Sequence, residues 1–417
     1  IIFAIQNIDG AKKKDTIDKF VKLNLMVKIV PPVENWIHGE LNIKQIKRVR
    51  IEDLLQRDTI HLDNPKVIEF IRNKVVMVTG AAGSIGSELV HQLLLLKPDK
   101  LVLIDQAETP LFELKFELSS NHHPGNTQIE YYIADISDEH RIEAIFKNTK
   151  PSIIFHAAAY KHVPMMEDNP HEAVRVNIFG SKNIADLAVK YNSNCLVMIS
   201  TDKAVRPTNV MGASKRFAEM YCQSLGNLPG MKTKFITTRF GNVLGSNGSV
   251  VKIFRNQIEA GGPVTVTHPD ITRYFMTIPE ACNLVLEAST MSEGSDIFIF
   301  DMGEPVKISD MARKMIRLAG FDPENEIKVE YSGLRPGEKL YEELLNSGEN
   351  TLPTYHPKIM IAQVNNARHK EMLSSFEKMK DAVIEDDVLT LVGVLKDIIP
   401  DFVSNNSVFE SLDKVEV

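Results

Sequence analysis

Cysteine is scarce in this sequence: Cys195, Cys222 and Cys282 stand far apart among 417 residues, with no CxxC pair. That usage argues against a disulfide framework or a zinc site and fits a reducing cytoplasm. Long apolar runs are missing too. No stretch approaches the roughly 20 residues that cross a bilayer, and no signal peptide is present. Positive charge is not in excess. A formal net charge of −7 removes bulk attraction to nucleic acid or anionic lipid as a theme. Local basic clusters, Lys12-Lys13-Lys14 and Lys44 to Arg50, read as solvated helix faces. There is no solenoid period and no low-complexity tract. An initial methionine is lacking as well: the chain opens Ile1-Ile2-Phe3-Ala4-Ile5, inside what reads as a buried strand. The expectation is a fragment of a longer chain.

What is there is an ordinary globular composition, long enough for two or three domains and a large core. Residues 1 to about 30 read strand, helix, strand: IIFAI, a stretch from Lys12 to Leu23, then LMVKIV, closed by Pro31-Pro32. This predicts a partial Rossmann-like α/β domain and connector over 1–60, with the connector patterns LNIKQIKRVRIEDLL and NPKVIEFIRN lying in 41–74. From Lys74 the pattern changes. KVVMVT, KLVLID, IEYYIAD, PSIIFHAAA, CLVMIST and TKFITTRFG are six apolar runs of the kind buried in a parallel sheet. Helical patterns such as SELVHQLLLL and AVRVNIFGSKNIADLAVKY fill the gaps. Alternation on this scale predicts an α/β fold, a Rossmann-like doubly wound parallel sheet. After about residue 245 the elements become mixed, which predicts a smaller substrate lobe over about 245–365. The domain boundaries expected are thus 1–60 and 61–417, with the dinucleotide core at 74–245.

The first strand runs straight into Gly80-Ala81-Ala82-Gly83-Ser84-Ile85-Gly86 and a helix. Gly80 permits the tight turn, Gly83 close approach of a pyrophosphate, and Gly86 close helix–strand packing; the helix start at Ser84 and Ile85 offers N–H groups and a positive dipole end. The spacing is GxxGxxG, and strand, turn and helix stand in the required order. Asp105 ends the second strand about 20 residues on, where an acid accepts from ribose hydroxyls and repels a 2′-phosphate. NAD is therefore expected over NADP. Asp105 read as a plain helix cap is the alternative. Asp135-Ile136, after the third strand, either flanks the adenine or is an ordinary strand end.

Residues 200–216, STDKAVRPTNVMGASKR, pose the chemical question. A dehydrogenase of this kind often carries Tyr-x-x-x-Lys here. The spacing survives as Met211-x-x-x-Lys215, but a thioether cannot hold or release a proton. Asp202 and Lys203, at the end of the fifth strand, can titrate, and the carboxyl ends of such strands face the ligand crevice. The bland alternative is a surface ion pair.

The glycine spacing, HAAAYKHVP (His156 to Pro164) and Ser200 to Arg216 resemble extended short-chain dehydrogenase/reductases acting on nucleotide sugars. More closely, TDKAVRPTNVMGASKR, RFGNVLGSNGSV (Arg239 to Val250), DITRYFMTIPEA (Asp270 to Ala281) and RPGEKLYEEL (Arg335 to Leu344) resemble the membrane-associated UDP-N-acetylglucosamine 4,6-dehydratases of bacterial glycan pathways. The likeness covers roughly residues 50 to 365. It implies hydride transfer from sugar C4 to NAD, loss of the C5 proton with water from C6, and hydride return to C6. It also implies that the whole protein sits at the inner membrane, held by segments preceding this chain.

On that reading Asp202 protonates the leaving C6 oxygen and Lys203 is the C5 base. Thr201 hydrogen-bonds the C4 oxygen, and Lys215 holds the nicotinamide ribose. The C4 proton acceptor stays open, with Asp202 the candidate. Methionine at position 211 resembles members that retain the C5 configuration. Ala157 and Ala158 are placed with the cofactor. The diphosphate calls for cationic and amide donors, and Arg239, Asn242, Arg273, Arg335 and Lys339 are the candidates; Ser249 lies in a polar loop suited to uridine or phosphate, and Lys161 and His162, grouped with the substrate residues, follow the fourth strand, near the cofactor in that family. Each arginine taken alone is as readily a surface salt bridge, and His162 a helix-start residue. His122-His123 reads as loop and Met165-Met166 as packing. Metal is not called for. A homo-oligomer is expected, with helices near 173–190 and 211–226 pairing between subunits. A 4-epimerase and an inactive cofactor-binding scaffold are the competing functions.

Overall fold

The computed structural model describes residues 1–5, 8, 10–22, 25, 27–30, 47–49, 64–120, 126–345, 350–364 and 368–414. Most of the first connector pattern, and His122-His123, lie outside them. The chain divides into two compact units. One holds 1–60, 242–280 and 303–334; the other holds 61–241, 281–302 and 335–417.

The larger unit is built on a nine-stranded sheet. Its strands in chain order are β1 (Val75–Thr79), β2 (Lys100–Asp105), β3 (Gln128–Ile133), β4 (Ile153–His156), β5 (Cys195–Thr201), β6 (Lys234–Phe240), β7 (Ser295–Phe300), β8 (Asn350–Pro353) and β9 (Ile359–Gln363). The spatial order is β8-β9-β7-β6-β5-β4-β1-β2-β3. Strands β1 to β7 pair parallel, and β9 and β8 close one edge antiparallel. The apolar runs explain this. Val76, Met77, Val78, Leu101, Val102, Leu103, Ile153 and Ile154 show no exposed surface, as strands covered by helices on both faces require. The order reverses between β1 and β4, with Gly80 following β1 and Ala157-Ala158 following β4. That is the switch point at which open α/β sheets bind ligands. Connecting helices include α1 (Ser84–Leu95), α2 (Glu108–Ser120), α3 (Glu139–Thr149), α4 (Ser181–Lys190) and α5 (Val210–Gly226).

One expectation is corrected here. A continuous lobe from about 245 to 365 is not what forms: β7, β8 and β9 return to the main sheet, because Ile297, Phe298, Ile299 and Phe300 are apolar on both faces and fully buried. The helices near 173–190 and 211–226 pack against other helices of this chain. The C-terminal helices His369–Ile384 and Val388–Ile398 share one core cluster with them through Met372, Phe376, Met379, Leu391 and Leu395. The Phe376 ring meets Phe217 edge-on at 5.2 Å and Tyr221 at 4.9 Å.

In the smaller unit, Ile2–Phe3 pairs parallel with Lys28–Ile29, which pairs antiparallel with Lys47–Arg48. Helix Gly10–Lys22 completes the expected strand–helix–strand piece. Phe3, Ile17, Val27 and Val49 form its core, and Leu318 packs on it from helix Ile308–Ala319. Lys314 on that helix pairs with Asp18. The piece is thus joined to 242–280 and 303–334 in one unit rather than standing as a domain of its own. Among the described residues no helix is long and apolar enough to cross a membrane.

Candidate active site

The glycine turn does what its spacing requires. Gly80 adopts φ +65°, and a Cβ there would lie 2.6 Å from the Ala158 amide nitrogen. A Cβ on Gly86 would lie 2.0 Å from the Gly80 carbonyl oxygen. Gly83 is the residue before α1, in extended conformation and exposed. The first-turn N–H groups of such a helix have no carbonyl partner within it and suit a phosphate. Asp105 caps this loop: its carboxylate accepts from the backbone N–H of Ala82 and of Ala107, each at 2.9 Å. The cap reading and the ribose reading of Asp105 are compatible, because each oxygen accepts one amide and keeps a second lone pair. The whole loop fits a dinucleotide phosphate.

Asp135 differs. Its carboxylate accepts from Ser137 N–H and hydroxyl and from Arg175 at 2.6 Å. Burial tends to raise its pKa, but the Arg175 and Ser137 contacts win and lower it. The structure therefore makes Asp135 an ion-paired strand-end residue, and Ile136 beside it is buried against Gly180.

Helix α5 begins hard against the end of β5. Asn209 caps it, accepting from Gly212 N–H at 2.7 Å, and a Cβ on Gly212 would lie 2.2 Å from the Lys203 carbonyl oxygen. Only glycine there lets α5 touch the Thr201–Ala204 turn. Met211 and Lys215, four residues apart, share one face of this helix. Met211 is 2% exposed within the apolar cluster, and Lys215 is 4% exposed. Burial brings the Lys215 ammonium down to about 8. One turn on, Glu219 binds Arg239 through two bonds of 2.9 and 2.7 Å and accepts from Ser200 at 2.6 Å. Burial acts to raise Glu219, yet Arg239 and Arg216 hold it at about 2.

That ion pair corrects one expectation. Arg239 is fully buried, and its guanidinium ties β6 to α5 instead of meeting a diphosphate. Lys339 is likewise buried, its ammonium donating to the Val205 carbonyl at 2.8 Å. Arg335 stays exposed, while Gly337 in the same loop accepts from Thr208 and Asn209 at 2.9 and 3.0 Å. The Pro and Gly of RPGEK therefore fasten that loop onto the segment before α5. Lys161 is exposed, and His162 stands at the start of helix Val163–Asp168. Asn242, Ser249 and Arg273 belong to the smaller unit. There Asn242 pairs along Phe275–Met276, Ser249 precedes helix Val250–Glu259, and Arg273 is 8% exposed.

The titratable centre lies at the end of β5. Asp202 has no exposed surface, and its Oδ1 accepts from Lys203 Nζ and from Thr201 hydroxyl, both at 2.9 Å. The expected ion pair exists, but it is buried rather than on the surface. Burial lifts the Asp202 carboxyl above the ordinary range against the pull of Lys203, and the charge of Glu342 lifts it further. Glu342 is the residue the sequence reading missed. Its Oε1 lies 3.3 Å from Lys203 Nζ, and its side chain is 2% exposed.

A second missed group is Asn177, in an apolar segment, Ala173–Gly180, wound as a π-helix. Such winding often marks functional sites. Asn177 accepts from Tyr160 N–H at 2.8 Å and donates to the Tyr160 carbonyl and the Ser214 hydroxyl, both at 3.0 Å. It thereby locks the loop after β4 to the residue preceding Lys215. An asparagine inside AVRVNIFG was the available signal. His156, at the end of β4, is buried between Thr79 and Ser181, and burial holds it near 3, so it stays neutral.

The family described as polysaccharide biosynthesis protein matches residues 76–364. The chain belongs to this family, a branch of the extended short-chain dehydrogenase/reductases. Among its relatives, capsular polysaccharide biosynthesis protein CapD of Staphylococcus aureus is 47% identical over 93% of this chain and 63% of that protein. Probable polysaccharide biosynthesis protein EpsC of Bacillus subtilis is 45% identical over 87% of this chain and 60% of that protein. The chain thus spans less than two thirds of these relatives. A UDP-N-acetylglucosamine 4,6-dehydratase (inverting) of Campylobacter jejuni and a UDP-glucose 4-epimerase of Rickettsia canadensis are each 32% identical; they cover 67% and 66% of this chain and are themselves covered over 79% and 78%. Of solved structures, Pen from Bacillus thuringiensis is 34% identical with a TM-score of 0.64, covering 72% of this chain and 92% of its own. The polysaccharide biosynthesis family is thus related to nucleotide-sugar dehydratases and epimerases.

Proposed function

We propose that this chain catalyses the NAD-dependent 4,6-dehydration of UDP-N-acetylglucosamine to a UDP-4-keto-6-deoxy-N-acetylhexosamine, with the C5 configuration retained, for surface-glycan synthesis. The observation that carries the reading is the buried Asp202–Lys203 pair at the carboxyl end of β5, beside a helix whose residue 211 cannot titrate. Gly80, Gly83, Gly86 and Asp105 would hold the dinucleotide, and Lys215 its nicotinamide ribose. When bound, NAD supplies a hydride acceptor for C4 and a hydride donor for C6.

The protein's part is proton transfer. Elimination needs an acid at the C6 oxygen and a base at C5. The raised Asp202 carboxyl suits the first role, because a protonated acid can donate. Lys203 suits the second once its proton has passed to Asp202, giving the neutral pair from the ion pair without changing the net charge. The C5–H bond then breaks onto Lys203, the C6–O bond breaks with the Asp202 proton, water leaves, and a C5=C6 double bond remains; Lys203 later returns its proton to C5, and the C4 hydroxyl proton, released as the ketone forms, replaces the one Asp202 gives to water. Asp202 lies beneath Lys203, so the ammonium must swing aside or relay the proton for the acid to reach substrate. Thr201, which donates to Asp202, would orient the C4 oxygen. Retention follows if one base on one face both removes and returns the C5 proton, and Met211 offers no second base on its helix. A 4-epimerase would need no C5 base.

The test incubates the purified chain with UDP-N-acetylglucosamine and NAD in heavy water and reads the product by NMR. The expected product is a 4-keto-6-deoxy sugar with deuterium at C5 and configuration retained. A C4 epimer without ketone replaces this reading with epimerisation, and an inverted C5 removes the stereochemical part. Asp202→Asn and Lys203→Ala should each lower turnover by about 10²–10⁴-fold; unchanged rates in both would sink the mechanism.

A further inference from the structure

We propose that Glu342 is the positioning residue for Lys203, holding its Nζ together with Asp202 and stabilising the positive charge that appears there as the C5 proton arrives. The proposal rests on the dehydratase reading for its chemistry and on geometry for its site. Glu342 lies some 140 residues downstream of Lys203, yet its carboxylate lies 3.3 Å from Nζ, with Asp202 at 2.9 Å from the same nitrogen. Both carboxylates are buried, with side chains 2% and 0% exposed, and Lys203 is 16% exposed. The loop carrying Glu342 is fixed by contacts independent of it: Gly337 to Thr208 and Asn209, Lys339 to Val205, and Arg206 to Glu343.

Two buried carboxylates on the Lys203 ammonium, with the Lys339 ammonium near both, form an ion cluster taken out of water, which is a poor device for stability alone. It is a good device for a lysine base. In the elimination the reactive state has a neutral Lys203 amine, a protonated Asp202 and an ionised Glu342. Proton transfer from C5 to Nζ, with loss of the Asp202 proton to the leaving oxygen, leaves an ammonium between two carboxylates. Glu342 therefore contributes more to the product side of proton transfer than to the ground state, which is the condition for lowering a barrier. The same anion raises the Asp202 carboxyl, which favours its protonated form. The charged groups facing this set are Lys339, buried beside Glu342 and Asp202, and Arg206, whose guanidinium is paired with Glu343.

The test does not depend on turnover. With lysines carbon-13-labelled at Cε, the Lys203 resonance, assigned by its loss in Lys203→Arg, is titrated in the parent, Glu342→Gln and Glu342→Asp. The proposal expects the Lys203 midpoint to move to lower pH in Glu342→Gln and to stay near the parent in Glu342→Asp. A Glu342→Gln midpoint equal to the parent's overturns it. In parallel, if the parent makes the 4-keto product, both limbs of the kcat/KM pH profile should move to lower pH in Glu342→Gln, with kcat down about tenfold or more. A uniform loss with unmoved limbs would overturn the positioning role and leave a structural one. Absence of product from the parent would count against the dehydratase reading, while the titration would still decide the proposal.

Discussion

Lys215 offers a test of whether this site sacrifices stability for chemistry. Its ammonium is 4% exposed in α5, and burial brings its pKa from 10.5 to about 8. The unfolded chain holds that proton up to about pH 10.5, whereas the folded chain releases it near 8. Between those values the unfolded state binds more protons, so this group's contribution to stability rises with pH. The cost of burying the ammonium is fully present below about pH 8 and gone above about 10.5. A shift of this size corresponds to about 3 kcal/mol. Methionine has a similar length and no charge, so Lys215→Met should unfold at higher denaturant than the parent at pH 7. The advantage should shrink steadily toward pH 10.5. Chemical denaturation of both proteins at several pH values in this window measures it, and the parent–variant difference cancels the titration of other groups. The same variant should lose turnover if Lys215 holds the nicotinamide ribose. A variant no more stable than the parent at pH 7, or a difference that does not change with pH, refutes the reasoning.

Three further outcomes follow from named contacts. Gly86→Ala places a methyl 2.0 Å from the Gly80 carbonyl oxygen, so helix and turn must separate; dinucleotide affinity by calorimetry should fall at least tenfold, and parental affinity would show the turn is not the phosphate cradle. Phe376→Ala removes the ring packed on Phe217 and Tyr221 and should cost about 3–5 kcal/mol in unfolding free energy; a loss under 1 would mean the C-terminal helices do not cover α5. Gly212→Ala, with a Cβ 2.2 Å from the Lys203 carbonyl oxygen, should lower kcat far more than it lowers thermal stability, because the strain falls on the turn that carries Asp202 and Lys203.

The sheet was legible because its strands are unbroken apolar runs, and fully buried parallel strands have no other signature. KVVMVT, KLVLID and CLVMIST form β1, β2 and β5 where their patterns placed them. DIFIF is just as apolar, but it follows mixed, turn-rich sequence, and a strand that rejoins a sheet after an excursion carries no local mark of its partner. The C-terminal helices were missed as a cover for the same reason: Met372, Phe376 and Met379 state that a face is buried, not against what. Arginine misleads most. Arg239 has the composition of a phosphate ligand, and only the placement of Glu219 one turn beyond Lys215 shows that its charge is already taken.

The site itself divides along the same line. Local motifs revealed the glycine turn, the Asp202–Lys203 pair and the Met211-x-x-x-Lys215 spacing, because each depends on neighbours within a turn or a helix. Glu342 and Asn177 were hidden because their meaning comes from distant partners, Lys203 in one case and Tyr160 with Ser214 in the other. This bears on the methionine. A phenol at position 211 would stand on the same helix as Lys215 and could titrate beside it. With a thioether there, α5 keeps its lysine but supplies no second proton donor from that turn. On the dehydratase reading, the proton chemistry is then tuned elsewhere, by charge. Asp202 and Glu342 arrive from β5 and from the loop after RPGEK to bracket one ammonium. That bracket requires the downstream loop to be fastened onto the residues before α5, which is what Gly337, Lys339 and Asn209 do. The RPGEK loop is therefore better understood through the carboxylate it delivers to Lys203 than through its arginine.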